Sequence, residues 1–281
     1  MHTISEHGCF GGTVGFYSHL SEAVGLKMTF SVYRPPQAAK RRVPFLTFLS
    51  ALLCNHQNFM IKSGAQRVAA ELGLMLVIPD TSPRGAGIPG EDADWEFGAS
   101  ASFFVDATQE PWSRHYRMYT YVTQELPQLI CAHFAADQRR QGIFGHSVGG
   151  NGALVCALRN PQQYRSVSAF APVVAPSQVS SGQKAFLGYL GPDRSRWAEY
   201  DACELVRQRP YPGTILIDQG TADKALAGHL RPDLFEAACK EVRQPLSLRM
   251  QDGYDHGFYF ISTFVEDHLR HHARELAHVA E

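Results

Sequence analysis

The stretch Gln141-Gly-Ile-Phe-Gly-His-Ser-Val-Gly-Gly-Asn-Gly-Ala-Leu-Val-Cys-Ala-Leu158 decides how this chain is read. It opens on a short apolar run, passes through Gly145-His146-Ser147-Val148-Gly149, and continues with helical spacing. That order predicts a strand, a sharp turn and a helix, with Ser147 at the strained apex and its hydroxyl above the strand end. Side chains at 145 and 149 would collide where the strand folds back into the helix, which glycine avoids. Gly150, Gly152 and Ala153 keep the first helical turn slim against its neighbours. A G-x-S-x-G pentapeptide alone is a weak signal; the strand before it and the helix after it give it meaning.

Outward from this elbow the chain alternates strands and helices. Phe10 to Tyr33 reads as strand, turn, strand, punctuated by Gly11, Gly12 and Gly25. Pro44 to Leu49 and Leu74 to Ile78 are compact apolar runs of the kind buried on both faces. Between them Ser63 to Leu72 has helical spacing and stops at Gly73. Strand, helix, strand at this spacing is a βαβ unit and implies a parallel sheet. Residues 81 to 112 are an irregular excursion, and Tyr116 to Phe134 is mostly helical. Ser166 to Phe170, Thr214 to Asp218 and Leu246 to Met250 read as later strands. A helix from about Pro232 to Val242 separates the last two, and Phe258 to Ala277 closes the chain as a helix. The expected architecture is an α/β-hydrolase fold: a mostly parallel central sheet flanked by helices, with a serine nucleophile elbow. With no repeat or linker, residues 1–281 are expected to form a single domain, carrying an insert over the active site at about 172–212.

Bulk composition narrows the function classes. A hydrophobic share of 44% supports a sizeable core, and a net charge of -1 argues against general affinity for nucleic acid or anionic membrane. Met1 to Phe10 lacks the basic start and apolar core of a secretory signal, and the longest apolar run, Phe45 to Cys54, is too short to span a bilayer. The six cysteines (Cys9, Cys54, Cys131, Cys156, Cys203, Cys239) form no C-x-x-C pair. Free thiols in a reducing compartment, and hence a cytoplasmic location, are expected.

A serine hydroxyl needs a histidine to take its proton, and the histidine needs an acid to fix its tautomer. In this fold the order is serine, acid, histidine. Later histidines are His229, His256, His268, His271, His272 and His278. Of these, His256 sits in Asp252-Gly-Tyr-Asp-His256, between the last strand and the last helix, on the same sheet edge as Ser147. Asp223, in the loop just beyond the strand at 214–218, is the expected acid. Asp218, inside that strand, reads as a buried structural acid, and Asp255, beside His256, as a turn residue. The oxyanion donors expected on the same geometry are the backbone N–H groups of Val148 and Leu52.

At this point the chain resembles the S-formylglutathione hydrolase, or esterase D, family. The resemblance rests on Lys62-Ser-Gly-Ala-Gln-Arg-Val-Ala-Ala-Glu71, Pro79-Asp-Thr-Ser-Pro-Arg-Gly85, Ala107-Thr-Gln-Glu-Pro-Trp112, His115-Tyr-Arg-Met-Tyr119 and Gly145-His-Ser-Val-Gly-Gly150. It continues in Arg165-Ser-Val-Ser-Ala-Phe-Ala-Pro172, Gly182-Gln-Lys-Ala-Phe186, Tyr189-Leu-Gly-Pro-Asp193 and Gly253-Tyr-Asp-His256. It implies a cytosolic, homodimeric serine hydrolase that needs no metal or organic cofactor and cleaves S-formylglutathione to formate and glutathione. Ser147, Asp223 and His256 fall on the family's triad, Val148 and Leu52 on its oxyanion positions, and Cys54 on a non-catalytic cysteine near the serine. Oxidation of Cys54, or its joining to glutathione, would block the site; the plainer reading is a packed thiol.

The departures cluster near the site. Ala51 stands where the family has glycine, Val148 where it has methionine, Ser181 where it has tryptophan, and Asp106 where it has asparagine. Loss of the tryptophan implies a roomier acyl pocket, and alanine at 51 raises the question of strain in the oxyanion loop. A small-molecule substrate is expected, either S-formylglutathione or short acyl esters. The rival readings are a broad short-chain carboxylesterase, an acyltransferase, and an inactive hydrolase scaffold serving as a binding module.

Other patterns are discounted. Asp92, Asp94 and Glu96 begin like a calcium loop, but Phe97 and Phe103 hold its sixth and twelfth positions. His268 and His272, one helical turn apart, read as a polar helix face rather than a metal site. His146 is expected to pack or hydrogen-bond locally, and Arg84 and Lys184 are weak candidates for holding glutathione carboxylates.

Overall fold

A computed structural model describes residues 1–277 of the chain; His278 lies outside the described residues. Nine strands form one sheet: β1 (His2–Cys9), β2 (Gly12–Leu20), β3 (Lys27–Arg34), β4 (Val43–Leu49), β5 (Met75–Pro79), β6 (Ala136–His146), β7 (Tyr164–Phe170), β8 (Ile215–Gly220) and β9 (Leu246–Gln251). Their order across the sheet is β1-β2-β3-β5-β4-β6-β7-β8-β9. The six strands from β5 to β9 in that order run parallel, and β1 to β3 add an antiparallel edge.

The helices are α1 (Asn58–Lys62), α2 (Ala65–Leu72), α3 (Met118–Thr120), α4 (Leu126–His133), α5 (Val148–Arg159), α6 (Ser180–Leu190), α7 (Arg194–Ala198), α8 (Ala202–Gln208), α9 (Pro232–Val242) and α10 (Phe258–Ala277). Two apolar clusters occupy the sheet's flanks. Phe45, Met75, Ile143, Leu154 and Ile217 belong to one, and Leu46, Phe48, Leu76, Phe144 and Leu269 to the other. The central strands, buried on both faces, therefore read in sequence as continuous rather than alternating apolar runs.

Chain order across the sheet positions the site. From β4 the chain steps outward to β5, then crosses back over β4 to β6 and continues to β7 on the other side. The connections leaving β4 and β6 thus part in opposite directions, opening a crevice at the carboxyl ends of these two strands. Ligands of open α/β sheets bind at such switch points. The serine elbow follows β6 and the 50–55 loop follows β4, so both border this crevice.

Three features depart from the sequence-based expectations. β1 was not anticipated; it is an edge strand, almost wholly exposed, and its alternation is too faint to signal it. β6 begins at Ala136, five residues before the apolar run, because polar side chains from Asp137 to Arg140 face outward at that end. The third correction concerns His268 and His272, which are fully buried rather than on a polar face. They share the inner stripe of α10 with Ile261, Val265, Leu269 and Leu276.

These histidines survive burial because each nitrogen finds a partner. His268 bonds Asp218 Oδ2 at 3.1 Å and Ser168 Oγ at 2.8 Å; His272 bonds Ser168 Oγ at 2.9 Å and Ser166 Oγ at 2.6 Å. The chain of bonds stitches α10 to β7 and β8. Burial holds His268, His271 and His272 below the ordinary histidine value, His271 at about 4.

A histidine whose folded pKa is depressed takes up its proton on unfolding. Its stabilising effect is therefore complete above the unfolded value and declines as pH falls from about 6.5 toward the folded value. Each such histidine should contribute a slope of about 1.4 kcal/mol per pH unit in that window. In urea titrations from pH 7 to 4.5, His271→Leu should flatten the loss by one such slope; an unchanged slope would contradict this account.

Candidate active site

β6 ends in the elbow. Ser147 adopts φ 57° and ψ -121°, a left-handed conformation that a non-glycine residue holds only when its surroundings enforce it. The enforcement is steric. A Cβ on Gly145 would lie 2.2 Å from the carbonyl oxygen of Gly149, and one on Gly149 would lie 2.1 Å from that of Leu49. The strand and helix approach too closely for any side chain there. The turn is pinned further by Ser147 N–H donating to Phe170 O and by Val173 N–H donating to Ser147 O.

The remaining groups arrive from other strand ends. Asp223 follows β8 and His256 follows β9. Asp223 Oδ2 lies 2.6 Å from His256 Nδ1, while Asp223 Oδ1 accepts the N–H of Ala225 at 2.8 Å. Burial would raise the Asp223 carboxyl, but the hydrogen bond and charge of His256, with the Ala225 and Gln219 bonds, hold it below the usual value. It is ionised at neutral pH, and it fixes the imidazole with Nε2 free for a proton. Ser147 and His256 line one cavity, and Ser147 Oγ makes no hydrogen bond among the described residues. Such bonds often tighten only when substrate is bound.

Asp218 is fully buried and belongs to a different structure. It accepts from Arg249 Nε at 2.7 Å and Gln251 Nε2 at 3.0 Å as well as bonding His268. Burial pushes its carboxyl up, but His268 and Arg249 outweigh that and bring it to about 2. Asp255 accepts the N–H of Gly257 at 2.8 Å, the turn role expected of it.

Leu52 and Val148 both line the cavity, and among the described residues neither N–H has an acceptor. For Val148 the reason is general: it is the first residue of α5, and the first N–H groups of a helix have no intrahelical partner. The question of strain at Ala51 resolves simply, because the left-handed residue of this loop is Leu53, at φ 63°. Alanine at 51 carries no left-handed strain.

The cavity measures about 260 Å³ and collects side chains from every loop at this end of the sheet: Ala51 to Leu53, Trp95 and Glu96, Ser147 and Val148, Val173, Ser181, Ala225, His229 and Leu230, and His256. A larger hollow of about 570 Å³ lies at the opposite ends of β6 and β7, lined by Gln138, Gln141, Gln163 and Arg165 among others. It contains no Ser–His–acid grouping, whereas Ser147 and His256 line the smaller cavity. His229 was not singled out in the sequence; nothing in its spacing from Asp223 indicates that a π-helical turn, Leu226–Leu230, carries it to the wall.

The neighbouring residues have distinct surroundings. His146 packs its ring against His256 with centroids 4.4 Å apart, and its buried Nε2 has no partner. Burial foremost, then the charge of His256, depresses its pKa and keeps it neutral. Cys54 is half-buried; burial raises its thiol pKa, against smaller opposing effects of Lys62 and Arg84. Arg84 is paired with Asp80 at 2.7 Å, and Lys184 with Asp94, so neither carries an uncommitted charge for a substrate. Asp106 lies outside the cavity, accepting from the N–H of Thr120 at 2.9 Å. Among the described residues no group of three or more His, Cys, Asp or Glu could hold a metal ion, and no helix is long and apolar enough to cross a membrane.

Comparison with known proteins agrees with this geometry. The family model described as "Putative esterase" matches residues 21–271. The S-formylglutathione hydrolase of Mus musculus is 55% identical over 277 residues, covering 97% of this chain and 98% of that protein. The S-formylglutathione hydrolase of Paracoccus denitrificans is 49% identical over 274 residues, covering 98% of each. The solved structure of an S-formylglutathione hydrolase from Agrobacterium tumefaciens superposes with a TM-score of 0.96 at 53% identity, covering 98% of this chain and 100% of that one. A ferulic acid esterase, at 17% identity and a TM-score of 0.75, shares the fold alone. With an α/β-hydrolase sheet, a serine elbow and relatives of this identity along nearly its whole length, the chain belongs to the S-formylglutathione hydrolase family of esterases.

Proposed function

We propose that this protein is a serine hydrolase that cleaves S-formylglutathione to formate and glutathione through a formyl-serine intermediate. The observation that carries the reading is the 2.6 Å bond from His256 to an ionised Asp223, on the rim of the cavity that holds Ser147. Ser147 Oγ attacks the thioester carbonyl while His256 Nε2 takes its proton, and Asp223 stabilises the imidazolium. The amides of Leu52 and Val148 receive the oxyanion, each such donor lowering the barrier by about 3 kcal/mol. Collapse breaks the carbon–sulfur bond. The thiol leaves readily, since thiol pKa values of about 8.5 make a thiolate a far better leaving group than an alkoxide. Water, deprotonated by His256, then releases formate. No step calls for a metal or an organic cofactor.

Cys54 serves better as a packed thiol than as a redox control, because burial disfavours the reactive thiolate. A cytoplasmic location accords with six free cysteines. The proposed organisation is a single domain over residues 1–281 with 172–212 as its insert, and a homodimer follows from the family resemblance. A broad short-chain carboxylesterase is the second reading, favoured by a cavity of 260 Å³ around a formyl group of a few atoms.

Comparing kcat/KM for S-formylglutathione with that for p-nitrophenyl acetate and butyrate decides between them, with Ser147→Ala as the blank. A strong preference for the formyl thioester is expected, and Ser147→Ala should lower kcat on the order of 10⁶-fold. A variant keeping a tenth of the activity would remove Ser147 from the mechanism, and brisk ester turnover beside weak formyl turnover would leave a generalist esterase. Asp223→Asn should reduce kcat on the order of 10⁴-fold by presenting the wrong histidine tautomer. A loss of less than tenfold would return the acid's role to another carboxylate.

A further inference from the structure

Ser181 and His229 form a second polar pair inside the substrate cavity. Ser181 is buried in the first turn of α6, and its Oγ lies 3.3 Å from His229 Nδ1. His229 is brought there by the π-helical turn Leu226–Leu230, a local widening often found at functional sites. The wall around them is otherwise largely apolar, with Val148, Val173, Ala225 and Leu230. His229 Nε2 has no partner among the described residues.

His229 is half-buried, and within the protein the hydrogen-bond inventory of this pair does not close. A serine hydroxyl has one donor, and a neutral imidazole has one donor and one acceptor. If the hydroxyl donates to Nδ1, the His229 Nε2–H is left over; if Nδ1–H donates to Oγ, the serine hydroxyl is left over. Either tautomer leaves one donor unused within a cavity shared with Ser147. The space around it exceeds what a formyl group needs, since an atom pair of that size fills on the order of one water's share, roughly 30 Å³. The cavity holds about 260 Å³. Glu96 lines the same cavity with the Lys184 ammonium 3.9 Å from its carboxylate, so the two charges offset each other and the Ser181–His229 pair is left as the neutral polar feature of the lining.

We propose that the Ser181–His229 pair recognises an uncharged oxygen on the acyl group, extending the enzyme's range to short hydroxyacyl esters and thioesters. This rests on the acyl-serine chemistry proposed above. It adds no new bond-making step: Ser147 takes the hydroxyacyl group as it would formyl, the thiol or alcohol departs, and water releases the hydroxy acid.

The test uses p-nitrophenyl esters, which contain no glutathione, in two matched pairs: hydroxyacetate with acetate, and 3-hydroxybutyrate with butyrate. The quantity read is the ratio of kcat/KM within each pair, compared between the wild type, Ser181→Ala and His229→Leu. Intrinsic ester reactivity cancels in that comparison. One productive hydrogen bond predicts a ratio lowered roughly three- to tenfold in each variant. Equal ratios in all three proteins would overturn the proposal, as would a wild-type preference for the hemisuccinate ester over both hydroxyacyl esters. His229→Leu disturbs a tight turn, so Ser181→Ala, which removes one oxygen, stands as the second variant. Failure to turn over S-formylglutathione would end the function proposed above without altering these ratios.

Discussion

The site depends on a lack of room. The end of β6 meets α5 so closely that no Cβ fits at Gly145, α5 meets the end of β4 so closely that none fits at Gly149, and the backbone between them has one way to turn. That turn puts Ser147 at φ 57° and ψ -121°, a positive-φ conformation that ordinarily costs about 1–3 kcal/mol and is sustained by the strands on either side. The same turn leaves the N–H of Val148 unpaired at the start of a helix and brings it next to the serine. The serine at the turn and the N–H beside it, the nucleophile and oxyanion donor of the proposed reaction, are therefore consequences of one steric constraint.

Sheet order does the rest of the assembly. Because the chain reverses direction across the sheet between β4 and β6, the loops after β4, β6, β8 and β9 converge on one crevice. Two aspartates only five residues apart then acquire different work. Asp218, inside β8, is surrounded by Arg249, Gln251 and His268 and ties α10 to the sheet. Asp223, beyond the strand, faces His256 from the loop. Both are held ionised at neutral pH, one to anchor a helix and one to orient an imidazole. What separates the two carboxylates is whether the imidazole each holds lines the cavity.

Much of this was legible in the sequence because the informative signals are local. The elbow glycines, the apolar runs of β4 and β5, and the bounds of α9 and α10 each follow from spacing and turn residues within a few positions. The pairing of Asp223 with His256 was legible for another reason: the fold prescribes the strand ends from which their two loops come. What was missed depends on partners distant in sequence. His268 and His272 look polar in isolation, yet Asp218, Ser166 and Ser168, about fifty to a hundred residues away, make their burial tolerable. The exposed β1 has no burial pattern to display, since its stability comes from pairing with β2. His229 reaches the cavity through a π turn that no periodicity announces.

The central claim is that Ser147 carries the acyl group between the two half-reactions. Its most direct test is an acid quench of the enzyme during turnover of S-formylglutathione, followed by peptide mass spectrometry. The account predicts a formyl ester on Ser147, and no adduct there in Ser147→Ala. A formyl group found on Cys54 or any other side chain, with Ser147 unmodified, would contradict it.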